Sequence, residues 1–427
     1  MRYAVSGAVL AFALSAPAMA ADVIVEQPQS IVSGTSVYDW SGFWVGAGGG
    51  RGAVVHELGL IGFPVSFNGV GGDGFFGQLS AGYDHVFDNG LVAGIAVSGR
   101  YGNIETTLDI APVPFFGFPG FNADVTAEYG FDVIGRLGYT VAPRTLAYVL
   151  GGYTWQHFDI STNFTGSIYD WSSSGYVVGL GVEHAVRDKW TVRSEYRYSH
   201  YSSHDVAGAG FLSIDPSTHT FHTTLNYRFN GGDSARTIAP LSYDWTGIKL
   251  GVAGGAGAIV HDVDLIGSFI EFNGIGGEGV LGEINIGYDR EFGNGYLGGV
   301  VLAARVSNIE TSLNVGGFNA DIQADYGFDA LLRVGKIFGG RTLAYAIGGY
   351  TWQSFDLSSS PAFVTGDWDL GGFTIGTGAE FAITERITAY TEYRYTYYED
   401  TEFNSGGFIS LKPSTHTVRA GAKFKLY

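Results

Sequence analysis

Cysteine is absent from this sequence, which removes disulfides, thiolate metal sites and cysteine nucleophiles at one stroke. Charge is sparse: 15% of residues are charged, where a soluble domain usually carries about a quarter. Lys and Arg are the scarcer kind, 23 against 41 Asp and Glu, giving a formal charge of −18. That balance argues against nucleic acid as a partner, because such binding rests on cations neutralising phosphates. Beyond the N-terminal segment, no apolar run approaches the ~20 residues of a transmembrane helix. What the chain has in quantity is aromatic residues, 15%, and glycine, 67 of 427 residues. A chain apolar enough for lipid but without helical spans is left with the closed β-barrel, since only helices and barrels satisfy every backbone group inside a bilayer.

The N-terminus reads as an export signal rather than as part of the fold. Met1-Arg2 gives a positive start, Ala4 to Ser15 is mostly apolar but too short to anchor, and Ala18-Met19-Ala20 supplies a small-x-small cleavage pattern. The expected divisions are a signal peptide over 1–20 cleaved before Ala21, and an extended periplasmic leader over 21–37.

An internal repeat dominates the rest of the chain. Tyr38-Asp39-Trp40 returns as Tyr243-Asp244-Trp245, 205 positions later, and Asn103-Ile104-Glu105-Thr106 returns as Asn308-Ile309-Glu310-Thr311 at the same offset. From Phe121-Asn122-Ala123-Asp124, matched by Phe318-Asn319-Ala320-Asp321, the offset is 197. Gly151-Gly152-Tyr153-Thr154-Trp155-Gln156 and Pro216-Ser217-Thr218-His219-Thr220 recur at that second offset. The second copy thus lacks 8 residues around Pro112 to Phe118, which marks that stretch as a dispensable loop.

Within each copy the hydrophobic period is two. Phe131, Val133, Leu137 and Tyr139 alternate with Asp132, Arg136, Gly138 and Thr140; Trp190, Val192, Tyr196 and Tyr198 alternate with Thr191, Arg193, Glu195 and Arg197. Such alternation means strands between two environments, and charges on one face with aromatics ending the other fit a lipid-facing barrel with interfacial girdles. Eight strands are expected per copy, in the first near 42–54, 74–87, 91–106, 125–141, 145–160, 174–187, 190–203 and 217–229. Tight turns at Asp88-Asn89-Gly90, Ala142-Pro143-Arg144 and Arg187-Asp188-Lys189 alternate with long Gly/Ser/Asp-rich connections. The second copy matches with Gly293-Asn294-Gly295, Gly339-Gly340 and Thr384-Glu385. Short periplasmic turns and longer external loops are the outer-membrane pattern. The fold class is therefore all-β: a transmembrane antiparallel up-and-down barrel, as two tandem eight-stranded barrels over 38–229 and 243–427 joined by a linker at 230–242. The alternative is one sixteen-stranded barrel, wide enough for a channel.

The inner-face charges are Asp132, Arg136, Glu183, Arg193, Glu195, Arg197 and Arg228 in the first copy, and Asp329, Arg333, Glu380, Glu392, Arg394 and Lys423 in the second. An eight-stranded lumen is just wide enough for side chains to fill, so this lumen charge network reads as a mutually neutralising plug; a selectivity lining would need a wider bore. No Ser/His/Asp set or paired catalytic carboxylates recur at matching loop positions, so no enzyme, cofactor or metal site is read. His219 and His416 recur in a strand-start Ser-Thr-His-Thr setting that reads as structural. The Gly-rich segments Asn68 to Gly74 and Asn273 to Gly279 lack the helix or ligand spacing of phosphate or calcium loops and read as loop-to-strand turns.

Four segments stand out as motifs: Tyr38-Asp39-Trp40-Ser41-Gly42-Phe43, Gly77-Gln78-Leu79-Ser80-Ala81-Gly82-Tyr83, Glu195-Tyr196-Arg197-Tyr198 and Pro216 to Thr220, with their second-copy counterparts. On these residues each copy resembles the small eight-stranded outer-membrane surface antigens of alphaproteobacteria, grouped with porin-like outer-membrane barrel domains. The resemblance covers nearly all of the mature chain, and it implies a cell-outer-membrane barrel with exposed loops and no specified ligand. The family's units usually stand alone, so the tandem is a departure. Arg419, Gly421, Phe424 and Leu426 fit the closing pattern read by the barrel-assembly machinery; the first copy has His222, Thr224, Tyr227 and Phe229 in register. In related barrels an Ala-Asp start is associated with covalent attachment to peptidoglycan, which makes Ala21 the candidate residue. Some relatives are associated with haemin, and His157, His200, His204 and His222 have no histidine counterparts in the second copy; the competing reading is solvated loop histidines. The expected partners are outer-membrane lipids, the assembly machinery and peptidoglycan. The expected role is structural, displaying loops and supporting the envelope, with a sixteen-stranded diffusion channel and a surface adhesin or haem binder as the alternatives.

Overall fold

The computed structural model describes residues 35–426 apart from 61–64, 113–118, 207–211, 239–240, 242, 266–269, 316–317, 361–365 and 404–408. The signal-peptide region, the leader up to 34 with Ala21, and most of the extra first-copy loop lie outside the described residues. The first copy contains β1 (Thr35–Tyr38), β2 (Gly42–Leu60), β3 (Val65–Val86), β4 (Leu91–Ile110), β5 (Phe121–Ala142), β6 (Thr145–Thr162), β7 (Gly166–Ala185), β8 (Trp190–Tyr201), β9 (His204–Val206) and β10 (Leu212–Arg228). After β11 (Asp233–Ile238), the second contains β12 (Gly247–Leu265), β13 (Ile270–Phe292), β14 (Tyr296–Val315), β15 (Phe318–Phe338), β16 (Thr342–Ser360), β17 (Gly366–Ala382), β18 (Ile387–Tyr398), β19 (Thr401–Phe403) and β20 (Ile409–Lys425).

Antiparallel pairing runs from β2 to β8 in order, and β10 then pairs with both β8 and β2, closing a ring of eight long strands. The second copy closes the same way, with β20 pairing β18 and β12. Among the described residues the strands thus form two eight-stranded rings rather than one of sixteen. Short bridges of β13 to β3 and β4, and of β14 to β3, join the rings at one end.

Alternation sets the two faces. Along β5, Phe131, Val133, Leu137 and Tyr139 are exposed, while Asp132, Ile134 and Arg136 between them are buried. Val45, Leu79, Ile95, Val97 and Val149 continue the exposed apolar band. Tyr83, Tyr139, Trp190 and Phe229 edge it at the turn end, and Phe75, Tyr101, Tyr129 and Tyr176 at the other. An apolar band flanked by aromatics is the lipid-facing surface of a membrane barrel.

The tight turns fall where expected. Asn294 and Gly295 both have positive φ, 62° and 75°, the geometry of a type I′ hairpin. At the other end the strands run further than the alternation marks: β2 has 19 residues and β3 has 22, where a span needs about 9–11. These outer ends therefore project beyond the bilayer. The Gly-rich segments expected as turns lie within β3 and β13. The end of the leader and the linker also meet: Thr35 and Ser36 of β1 pair with Ile238 and Thr237 of β11.

Candidate functional site

The chemistry of each ring lies in its lumen. At the turn end, periplasmic in outer-membrane barrels, the recurring Tyr-Asp-Trp tucks inward. Trp40 is fully buried, and Tyr38 donates to the Asp188 carbonyl at 2.7 Å. In the second ring Trp245 Nε1 donates to the Gly340 carbonyl at 3.0 Å. The motif is a stopper, which explains why it opens both copies.

Above Trp40 lies a closed, neutral quartet. Arg136 donates to both oxygens of Asp84 (Nε at 2.7 Å) and to Glu183 at 2.9 Å. Arg228 donates to Glu183 at 3.0 Å, to Asp84 at 2.9 Å and to the Trp40 carbonyl at 2.7 Å. Asp132 gathers a second layer: it accepts from Arg100 at 2.7 Å, Arg197 at 2.6 Å and Thr154 at 2.6 Å. Glu195 accepts from Arg197 at 2.5 Å and from Tyr148 at 2.6 Å, with Arg193 at 3.5 Å. An unpaired ion here would cost several kcal/mol, so pairing is the condition for burying these groups.

The second ring keeps the frame and redistributes the charge. Arg333 pairs with Asp289 and Glu380, and Arg394 with Asp329, Glu283 and Glu392. Where the first ring has Gln78 hydrogen-bonded to His222, the second has Glu283 paired with Arg419 at 2.9 Å. Where the first has Trp44, the second has Lys249, which lies 3.0 Å from Asp289 and 3.2 Å from Glu380. Lys423, in the place of Asn226, also reaches Glu380 at 3.1 Å. The second ring thus carries charge where the first has Trp44, Gln78, His222 and Asn226, and each added charge has an opposite partner.

Every inner-face charge read from the sequence points into a lumen. Asp84, Arg100, Lys249, Glu283, Asp289 and Arg305 belong there too and were missed, because inward glycines interrupt the alternation on their strands. Recurrence at 205 residues would have found the Asp84/Asp289 and Arg100/Arg305 pairs. Toward the outer end an apolar layer covers the charges: Val54, Phe76, Ile104, Phe158, Trp171, Tyr201 and Ile214 in the first ring, with a matching set around Phe355 in the second. A cavity at that level, lined by Arg305, Gln353, Tyr398 and Arg419, measures about 10 Å³, the room of at most one water.

The first-copy histidines do not converge. His222 is buried in the lumen, His157 stacks on Tyr129, His200 lies beside Tyr176, and His204 stacks on Trp171. Among the described residues no group of three or more His, Asp or Glu is placed to hold a metal. In the closing pattern, Arg419 is buried in the lumen, whereas Phe424 and Leu426 are exposed on the outer surface.

His219 and His416 turn out to face neither lumen nor loop. Both lie on outward faces at a seam where the rings meet. Tyr196 donates to His219 Nδ1 at 2.6 Å, and His219 Nε2 donates to Glu278 of the other ring at 2.9 Å. Reciprocally, Tyr393 donates to His416 Nδ1 at 2.7 Å, and His416 Nε2 to Asp73 at 3.2 Å. Glu278 also accepts from Ser217 at 2.7 Å, and Asp73 from Arg51. Ala53, Val55, Ala258 and Val260 form the apolar part, and Phe221 stacks on Tyr393 at 4.5 Å. A charge on a lipid-facing barrel surface costs up to ~2–4 kcal/mol for Arg or Lys at mid-bilayer, and less for Asp or Glu or near the interfaces. These groups escape that cost by meeting one another.

Closed antiparallel rings with a girdled apolar exterior and an ion-paired interior define a transmembrane β-barrel protein of the outer membrane. The family model of the outer membrane protein beta-barrel domain matches residues 6–229 and again 234–424, and the chain belongs to that family. The 31 kDa outer-membrane immunogenic protein of Brucella melitensis is 27% identical over 228 residues, which are 50% of this chain and 93% of that protein. The 22 kDa outer membrane protein of Rhizobium leguminosarum bv. viciae is 30% identical over 168 residues, 39% of this chain and 66% of that protein. Neisserial surface protein A is similar at 14% identity with a TM-score of 0.28, covering 44% of this chain and 98% of that one.

Proposed function

We propose that this protein is a non-conducting scaffold of the outer membrane, which displays its outer hairpins and contributes to envelope integrity. The observation that carries this reading is the filling of both lumens: a tryptophan stopper, two layers of buried ion pairs and an apolar layer succeed one another along each bore. A solute path would have to break buried salt bridges, and removing one partner of such a pair costs about 3–5 kcal/mol. In this reading the exposed Phe424 and Leu426 of the last strand serve recognition by the barrel-assembly machinery. Purified protein in planar lipid bilayers should show no stable openings. Large, long-lived conductance steps would overturn the proposal in favour of a diffusion channel.

A further inference from the structure

The seam has a symmetry that neither ring needs for its own closure. Thr145 and Thr342, equivalent residues of the two copies, meet hydroxyl to hydroxyl at 2.9 Å near the turn end. Gly71 and Gly276, also equivalent, meet backbone to backbone toward the outer end, where a Cβ on Gly71 would lie 2.7 Å from the Gly276 Cα. Val70 and Ile275, again equivalent, pair as strand neighbours. Residues that touch their own counterparts lie on a two-fold axis, so these three pairs trace an axis running from one face of the membrane to the other. Off the axis, contacts recur in reciprocal pairs. His219 meets Glu278 as His416 meets Asp73, Phe67 pairs with Leu313 as Phe272 pairs with Leu108, and Gly69 faces Thr311 as Gly274 faces Thr106. This is an isologous interface, in which one patch meets itself.

We infer that the seam is an obligate interface in the membrane, and that the partner each barrel face is built for is a second copy of the same face. Lipid does not fit it. Asp73, Glu278 and Arg51 carry charge on surfaces that would otherwise meet the bilayer edge, and each finds its counter-group across or along the seam. The Phe221–Tyr393 stack and the Thr145–Thr342 contact leave no width for an acyl chain between the rings. The Gly-rich segments therefore serve neither as turns nor as ligand loops; they let two sheets touch. At the outer end the rings also share strands, since β3 sits between β2 and β14, and β13 between β12 and β4. The displayed surface is consequently one composite crown built from both copies, not two independent sets of hairpins. Duplication has tied a two-fold dimer into a single chain.

The absence of cysteine makes this directly testable in the full chain. Thr145→Cys with Thr342→Cys places two sulfurs where hydroxyls now touch, within reach of a disulfide after small adjustment. Oxidant has access through the adjoining cleft of about 630 Å³ lined by Arg144, His184, Asp233 and Phe338. In intact outer membranes this pair should oxidise almost completely within one chain, read as loss of thiol labelling and a mobility shift after denaturation. Ile95→Cys with Val300→Cys, equivalent residues exposed on the lipid-facing surfaces, should stay reduced. A reduced, fully labelled 145/342 pair, or an oxidised 95/300 pair, overturns the seam. For the second-copy claim, residues 243–427 are replaced by a repeat of 38–229, with cysteine at position 145 and at its repeat. The same intrachain disulfide is expected, because Asp73 then meets His219. Failure of that tandem to assemble, or assembly without the disulfide, overturns the claim.

Discussion

Arg228, on the last strand of the first ring, donates to the backbone carbonyl of Trp40 at 2.7 Å, so the closing strand holds the opening motif in the bore. The same guanidinium reaches Glu183 and Asp84. Arg228→Met should therefore leave two buried carboxylates with one arginine between them and release the stopper. The expected loss is about 3–5 kcal/mol, the usual result of removing one partner from a buried pair. It should appear as a lower urea midpoint for loss of the heat-modifiable folded band. Arg228→Lys keeps the charge but not the fork, and should fall between the two. An unchanged midpoint for Arg228→Met would mean that the quartet is not needed to hold the ring.

The exchange of Gln78 and His222 for Glu283 and Arg419 predicts coupling within the second ring. Glu283→Gln deprives Arg419 of its ion-pair partner, and Arg419→His leaves Glu283 with Arg394 alone. The double variant restores the combination the first ring already uses. Each single change should destabilise more than the pair together, with an interaction energy within the ~0.5–3 kcal/mol usual for touching residues. Additive urea midpoints would show that the two positions vary independently.

Much of this was legible because a membrane barrel writes its two faces into alternate residues. Asp132 and Arg136 lie between Phe131, Val133 and Leu137, and both the strand and its orientation can be read from that. The alternation fails where glycine takes inward positions, as at Gly82 on β3 and Gly94 on β4, and there the inner partners Asp84 and Arg100 escaped notice. The seam was illegible for a different reason. His219 and Asp73 occupy outward positions, where period two predicts lipid, and nothing local says that another barrel covers them. Only the recurrence of both residues, with Asp73 matched by Glu278 and His219 by His416, carried that information. It becomes readable once equivalent residues are seen to touch.

Asp262 gives the crown a dependence on pH. It lies in the projecting end of β12, paired with Lys412 two residues beyond the Ser414–Tyr397 rung. Burial, with Asp73 and then Asp264 and Asp400 nearby and only Lys412 opposing, pushes its carboxyl up to about 6. An unfolded aspartate titrates near ~3.9. A raised folded value means the folded state binds the proton more tightly, so this contribution is fully present below about 4 and lost as pH rises through about 6. The thermal midpoint of the wild-type chain should therefore gain on Asp262→Asn as pH falls from about 7.5 to 5, and Asp262→Asn should be the more stable at the higher pH. A constant difference between the two proteins across that range would remove Asp262 as the source.

Gly71 and Gly276 set how closely the outer ends approach. A Cβ on either would lie within 2.8 Å of the other's Cα. The obstacle is backbone, which cannot rotate aside as a side chain does. Gly71→Leu should therefore separate the crown while leaving both rings closed, since the hydrogen bonds that close each ring run through β10 and β20. Hydrogen exchange separates the two effects. Amides of the shared rungs, at 65–67, 108–110, 270–272 and 313–315, should exchange faster by at least ten-fold, whereas those of 131–137 within β5 keep their protection. Faster exchange throughout would mean the substitution unfolds the first ring, and unchanged exchange at the rungs would mean the crown holds without the glycine contact.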